Sequence, residues 1–180
     1  MPETHADDFA GLVAALNRNK VEFVIVGAHA VAFHGYARGT KGLDILIRSS
    51  PVNIPRVLAA LKDFGFGSLG LKDADFAGDN VVQLGYPPNR VDLLSGISGV
   101  DTEKVWKTRV KGTYQGHPAY FISRGCLLKN KRAAGRGQDR LDVQKLEQQA
   151  RLARRKKGRG GRPPAALASP AGQGRQMRKV

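Results

Sequence analysis

The chain has 180 residues, 41% of them hydrophobic, and a formal net charge of +15. That length suits one domain with a sizeable core rather than two. The single cysteine, Cys126, excludes an intrachain disulfide and fits a reducing compartment. The opening MPETHADDFAGLVAAL has acids where a secretory segment needs positive charge, and apolar runs such as residues 24–26 and 43–47 are far too short to span a bilayer. The expectation is a cytoplasmic protein without a membrane segment.

In chain order, Asp7 and Asp8 can cap a helix to about residue 19, with Phe9, Leu12, Val13 and Leu16 on one face. Residues 22–27 (EFVIVG) read as a buried strand. An Ala-rich helix follows at once over about residues 28–36, until Gly35 and Gly39 break the pattern. Residues 43–47 form a second strand. Ser50-Pro51 opens a helix whose apolar face is Val57, Leu58, Leu61 and Phe64, closed by Gly65 and Gly67. A further helical turn is predicted at residues 73–77. Residues 81–84 and 90–94 predict a hairpin around Pro87-Pro88-Asn89. Residues 101–108 predict a short helix with Val105 and Trp106 inward, and residues 110–114 and 119–122 a second hairpin around Gln115-Gly116. Ser123 caps a helix to about residue 134, and a last helix runs over about residues 139–157.

This order predicts an α+β domain with a mixed β-sheet flanked by helices over residues 1–157. Beyond it the sequence is rich in Gly, Pro, Ala and Arg and reads as a disordered basic tail, residues 158–180. Residues 151–180 hold ten basic residues and no acid. Of the 30 basic residues, 20 are therefore left against 15 acids in residues 1–150, a net of +5. Such a tail attracts polyanions weakly, RNA or DNA included, though without aromatic residues for base stacking. The reading favoured over nucleic-acid contact is a solubilising disordered end.

The chemistry concentrates in VGAHAVAFHGYARGTKGLDILI, residues 26–47. Small residues at Gly27-Ala28 let backbone N–H groups approach phosphate oxygens at a helix start. Arg38, Thr40 and Lys41 are nearby donors. Asp44 can hold a divalent metal that bridges phosphates. Asp92, in RVDLL, is a carboxylate inside an apolar strand, where it needs a cationic partner. Two such aspartates on neighbouring strands make a hard-metal site. His29 and His34 match no metal spacing. There is no Walker-type phosphate loop, no Cys-x-x-Cys pair and no nucleophile elbow.

Over roughly residues 8–150 the pattern resembles the nucleotidyltransferase fold of the DNA polymerase beta superfamily, in the flavour of minimal nucleotidyltransferases and AbiEii-like proteins of bacterial toxin–antitoxin systems. Gly27-Ala28 falls at the family's turn. Residues 34–41 (HGYARGTK) resemble its linking loop, and Asp44 and Asp92 fall at its second and third carboxylates. Leu128-x-x-Lys131-x-Ala133-Ala134-Gly135-Arg136-x-x-Asp139-x-x-Asp142 is similar to its C-terminal segment. Two positions depart: Ala28 for the usual second Gly, and Gly42 for the first acid of Asp-x-Asp.

The resemblance implies transfer of a nucleoside monophosphate from an NTP to a hydroxyl on RNA, protein or a small molecule. It also implies Mg²⁺ or Mn²⁺ on Asp44 and Asp92, with Asp92 also as base. Gly27, Ala28, Arg38, Thr40, Lys41 and Lys131 would contact the nucleotide. Gly42 implies weakened metal affinity and slowed transfer. The alternative is an inactive module that binds nucleotide, RNA or a toxin–antitoxin partner. Read as ordinary structure, Asp44 and Asp92 pair with a local base such as Arg90, Lys131, Asp139 and Asp142 form helix ion pairs, and Gly27-Ala28 is a packed turn.

Overall fold

The computed structural model describes residues 8–159. Six strands form one mixed sheet: β1 (Phe23–Ile25), β2 (Gly42–Ile47), β3 (Val81–Leu84), β4 (Arg90–Leu94), β5 (Val110–Tyr114) and β6 (His117–Phe121). Their spatial order is β3-β4-β2-β1-β6-β5. The β2/β4 and β1/β6 pairs are parallel, and the other neighbours are antiparallel. Six α-helices accompany it: α1 (Asp8–Arg18), α2 (Gly27–Phe33), α3 (Asn53–Leu61), α4 (Thr102–Thr108), α5 (Arg124–Ala134) and α6 (Gly137–Arg159). The α+β class and the mixed sheet are as the sequence implies.

The core explains this arrangement. Leu12 and Leu16 of α1, Ile25, Leu43, Ile45 and Ile47 of the central strands, and Val57 and Leu61 of α3 are fully buried. Burial of each such side chain contributes about 1.5–3 kcal/mol. Helix α1 packs on α3 and β6, while α2 packs on β2 and α5, and α5 on α6. Arg109 bridges α4 and β6, its guanidinium 3.8 Å from the Trp106 ring centroid and 4.4 Å from that of Tyr120.

The local differences have identifiable causes. Strand β1 is three residues long, because at Gly27 the backbone turns to φ +62° and α2 begins there, one residue before Ala28. Helix α3 starts at Asn53 rather than at Pro51. The Ser50 carbonyl accepts from the Asn53 and Ile54 N–H groups, which makes a turn ahead of the helix. The Asn53 side chain is buried, receiving from the Glu22 N–H and donating to the Glu22 and Arg48 carbonyls, which fixes that start. A π-helical turn, Lys62–Phe66, extends α3 through Gly65. Helix α6 begins two residues before Asp139 and runs to Arg159. Residues 158–159 of the expected tail belong to α6, and the rest of that tail, with the capping role of Asp7, lies outside the described residues. Among the described residues, no helix is long and apolar enough to cross a membrane.

Candidate functional site

Strands β2 and β4 run parallel with Gly42 opposite Arg90 and Asp44 opposite Asp92. Side chains two apart on a strand share a face, and in-register partners on adjacent strands do too. Asp44, Asp92 and Arg90 therefore stand together on one face, with the bare Gly42 beside them. Strand spacing sets the two aspartate backbones about 5 Å apart.

Helix α2 begins against this pair. The Asp44 Oδ2 lies 2.0 Å from where a Cβ on Gly27 would sit. The Val26 N–H also donates to the Asp44 carbonyl, at 3.0 Å. Gly27 is thus required twice, by its positive φ and by the carboxylate seated on its α-carbon. Ala28 is buried behind it.

Burial first, and then the Asp92 charge, push the Asp44 carboxyl above the usual range, against the opposing pull of Lys131, Arg90 and Arg136. Asp92 is 7% exposed. One of its oxygens, Oδ2, accepts from Arg90 at 2.8 Å, while Oδ1 is buried without a hydrogen-bond partner among the described residues. An unpaired buried carboxylate oxygen is uncommon and points to a missing partner. Among the described residues no group of three or more His, Cys, Asp or Glu side chains converges on one point. The donor set is the pair alone.

The chemistry of that pair fits one hard cation: two carboxylates on one face, one oxygen unsatisfied, and charges that repel unless something positive lies between them. The second cation of a two-metal site has less to hold it. Gly42 brings no carboxylate. A Cβ there would lie 2.1 Å from the Arg90 carbonyl oxygen and 3.2 Å from the Arg90 Cβ. The strand pairing itself therefore excludes a side chain at position 42 unless the backbone moves.

The C-terminal helices bring the counter-charges. Lys131, 5% exposed, reaches Asp139 at 2.8 Å and Asp142 at 3.0 Å. The Arg38 guanidinium donates two bonds to Asp142, at 2.8 and 2.9 Å, and Arg136 donates to Asp139 at 2.8 Å. Burial would raise both carboxyls, but the bonds from Lys131 and Arg136 to Asp139, and from Arg38, Gln138 and Lys131 to Asp142, outweigh it and hold both below the usual range. With Arg90, four cations thus face four carboxylates around this end of the sheet.

Of the residues that the sequence nominates, Gly27, Ala28, Asp44 and Asp92 come together. Arg38 and Lys131 lie beside them, each already paired to an aspartate of α6. The Thr40 hydroxyl donates to the Gly42 carbonyl at 2.8 Å, which shapes the loop into β2. Lys41 is exposed beside Gly42. His29 is half-buried, its ring edge-on to those of Phe9 and Tyr114 and bonded to the Gly42 backbone, while its Nε2 has no partner among the described residues. His34 donates its ring N–H to the Ile122 carbonyl at 2.8 Å. The residue that sequence reasoning undervalued is Arg90, named only as a local salt-bridge partner. Its position two before Asp92 on the same strand is the signal that puts it on the site face. Comparison with protein-family models and with characterised proteins gives no match for this chain.

Proposed function

We propose that the chain is a nucleotidyltransferase-like protein. It takes an NTP with one divalent cation, Mg²⁺ or Mn²⁺, at the Asp44–Asp92 pair. It transfers the nucleoside monophosphate to a hydroxyl of RNA, protein or a small molecule. The observation that carries the reading is the in-register pair of aspartates on one face beside Gly27, with Asp92 Oδ1 buried and unmatched.

In the step, the acceptor oxygen forms a bond to the α-phosphorus. The bond from that phosphorus to the pyrophosphate oxygen breaks, and the hydroxyl proton passes to a carboxylate oxygen of Asp92. Asp44 and Asp92 would hold the cation, which supplies neutralisation of phosphate charge when bound. Lys41, exposed beside Gly42, would draw in the triphosphate. Arg38 and Lys131 would act from behind, keeping α6 docked so that Asp44 stays in place.

Gly42 and the Arg90–Asp92 ion pair favour a second reading, a binding module that takes nucleotide without turning it over. One experiment separates the two. The protein is incubated with each NTP labelled at the α-phosphate, Mg²⁺, and either bulk RNA or a candidate protein acceptor, and NTP binding is followed by calorimetry alongside. Label transfer that is lost in Asp44→Asn and Asp92→Asn supports the enzyme. Binding without transfer supports the module. Neither binding nor transfer with any NTP would overturn both.

A further inference from the structure

Arg90 does more than neutralise a buried acid. Resting on the metal–nucleotide reading above, we infer that its guanidinium serves as the built-in second cation of the site and as its phosphate-binding group, in place of the ion that a carboxylate at position 42 would have held.

Three observations converge. Arg90 and Gly42 are direct partners across β2 and β4, and Arg90 crowds the one point from which a side chain at position 42 could emerge. The Arg90 guanidinium reaches forward along the same face to Asp92 Oδ2 at 2.8 Å and lies close enough to Asp44 to pull on its charge. Around that contact two groups are left unmatched, Asp92 Oδ1 as acceptor and Arg90 Nε as donor, both buried.

An ion pair of this kind inside a folded protein normally satisfies all its atoms. Here a donor and an acceptor remain, on adjoining groups of opposite charge. A divalent cation with a phosphate attached matches both at once: the cation takes the carboxylate oxygen, and the phosphate oxygens take the guanidinium. The Arg90 side chain is 35% exposed, so its outer edge is open to an incoming anion. The planar fork suits phosphate better than a lysine would. The other cations near Asp44 are committed elsewhere, Lys131 to Asp139 and Asp142, and Arg136 to Asp139. The ligand class is therefore a triphosphate carrying one divalent ion rather than two.

The inference makes an unusual demand on the Arg90→Ala variant. Metal affinity and nucleotide affinity must move in opposite directions. Removing a cation 2.8 Å from a metal-binding carboxylate strengthens the metal site, while removing a phosphate donor weakens the nucleotide.

The test titrates Mn²⁺ into the full chain without nucleotide, reading free Mn²⁺ by electron paramagnetic resonance. ATP binding at saturating Mn²⁺ is then read by calorimetry, with a thermal melt of each variant. The expected results are one Mn²⁺ per wild-type chain, Mn²⁺ bound several-fold tighter by Arg90→Ala, and ATP bound about ten-fold weaker, since a lost charge-assisted bond is of that order. Arg90→Lys, which keeps the charge and loses the fork, should leave Mn²⁺ affinity near wild type and weaken ATP by a smaller factor. Affinities for Mn²⁺ and ATP that are unchanged, or that fall together, in a folded Arg90→Ala would overturn the inference while leaving the proposed function standing. Failure of the wild type to bind Mn²⁺ at all would overturn both. Should Arg90→Ala not fold, unchanged ATP affinity in Arg90→Lys is the overturning result.

Discussion

The Asp44 carboxylate occupies the space that any side chain at Gly27 would need, with Oδ2 2.0 Å from the point where a Cβ would begin. A turn residue and a strand residue 17 positions later are thus shaped to one another, and Gly27 cannot gain a side chain while Asp44 keeps its place. Gly27→Ala meets both a positive φ and this contact. It should destabilise the fold by about 2–4 kcal/mol, the sum of backbone strain and a displaced carboxylate. Urea unfolding of the variant, set beside a control Gly125→Ala where a Cβ meets nothing, measures it. A cost no larger than the control's would refute the fit.

Asp44 carries a cost of its own. Its carboxyl is raised above the usual range, so the folded chain binds its proton more tightly than the unfolded chain does. Stability therefore falls as pH rises through the window between the unfolded value, about 3.9, and the higher folded one. At pH 7 the ionised group works against folding. Asp44→Asn should raise the melting temperature of the metal-free protein by ~2 °C and, on the proposed metal reading, remove the stabilisation expected from Mn²⁺ in the wild type. A lower melting point than wild type, or retained Mn²⁺ stabilisation, would contradict this.

Restoring the acid that the resemblance leads one to expect at position 42 should fail. Gly42→Asp places a Cβ 2.1 Å from the Arg90 carbonyl. The β2/β4 pairing must open to admit it, at a cost of about 1–3 kcal/mol. The expected outcome is a lower melting temperature and no gain in nucleotidyl transfer. A gain in transfer with unchanged stability would show that the strands yield more easily than their pairing implies.

The clamp between α5 and α6 should govern acid stability. Asp139 and Asp142 are held below the usual carboxyl range, so they stabilise the fold above about pH 4 and lose that contribution as pH falls through their lowered values. Breaking the clamp at neutral pH leaves Lys131 and Arg38 without one partner, which costs about 3 kcal/mol in a buried pair. Asp142→Asn should accordingly unfold at lower urea concentration at pH 7. Its stability should fall less steeply than that of wild type between pH 5 and pH 3. Parallel pH profiles would argue that Asp142 is not the titrating group.

Much of the architecture was legible because it is local. The apolar faces of α1 and α3, the Pro and Gly turns of both hairpins and the Ser123 cap are written in short windows of sequence. Asp92 was legible because a carboxylate amid Val91, Leu93 and Leu94 needs a reason. What stayed hidden depends on distance. Arg38 and Asp142 are 104 positions apart, and nothing local to either announces the other. The commitment of Gly42 to the Arg90 carbonyl depends on strand register, which no single strand reveals. The short β1 and the π-helical turn after α3 arise from how Gly27 and Gly65 are seated, which periodicity cannot show.

The order of synthesis gives the clamp a last consequence. Asp44 and Asp92 are made well before Lys131, Arg136 and the aspartates that anchor them. A nascent chain that has grown only through the second hairpin holds two repelling acids with Arg90 as their nearest counter-charge. The sheet thus acquires its finished charge balance only after α6 has left the ribosome, and fragments ending before residue 131 should be far more prone to degradation than the whole chain.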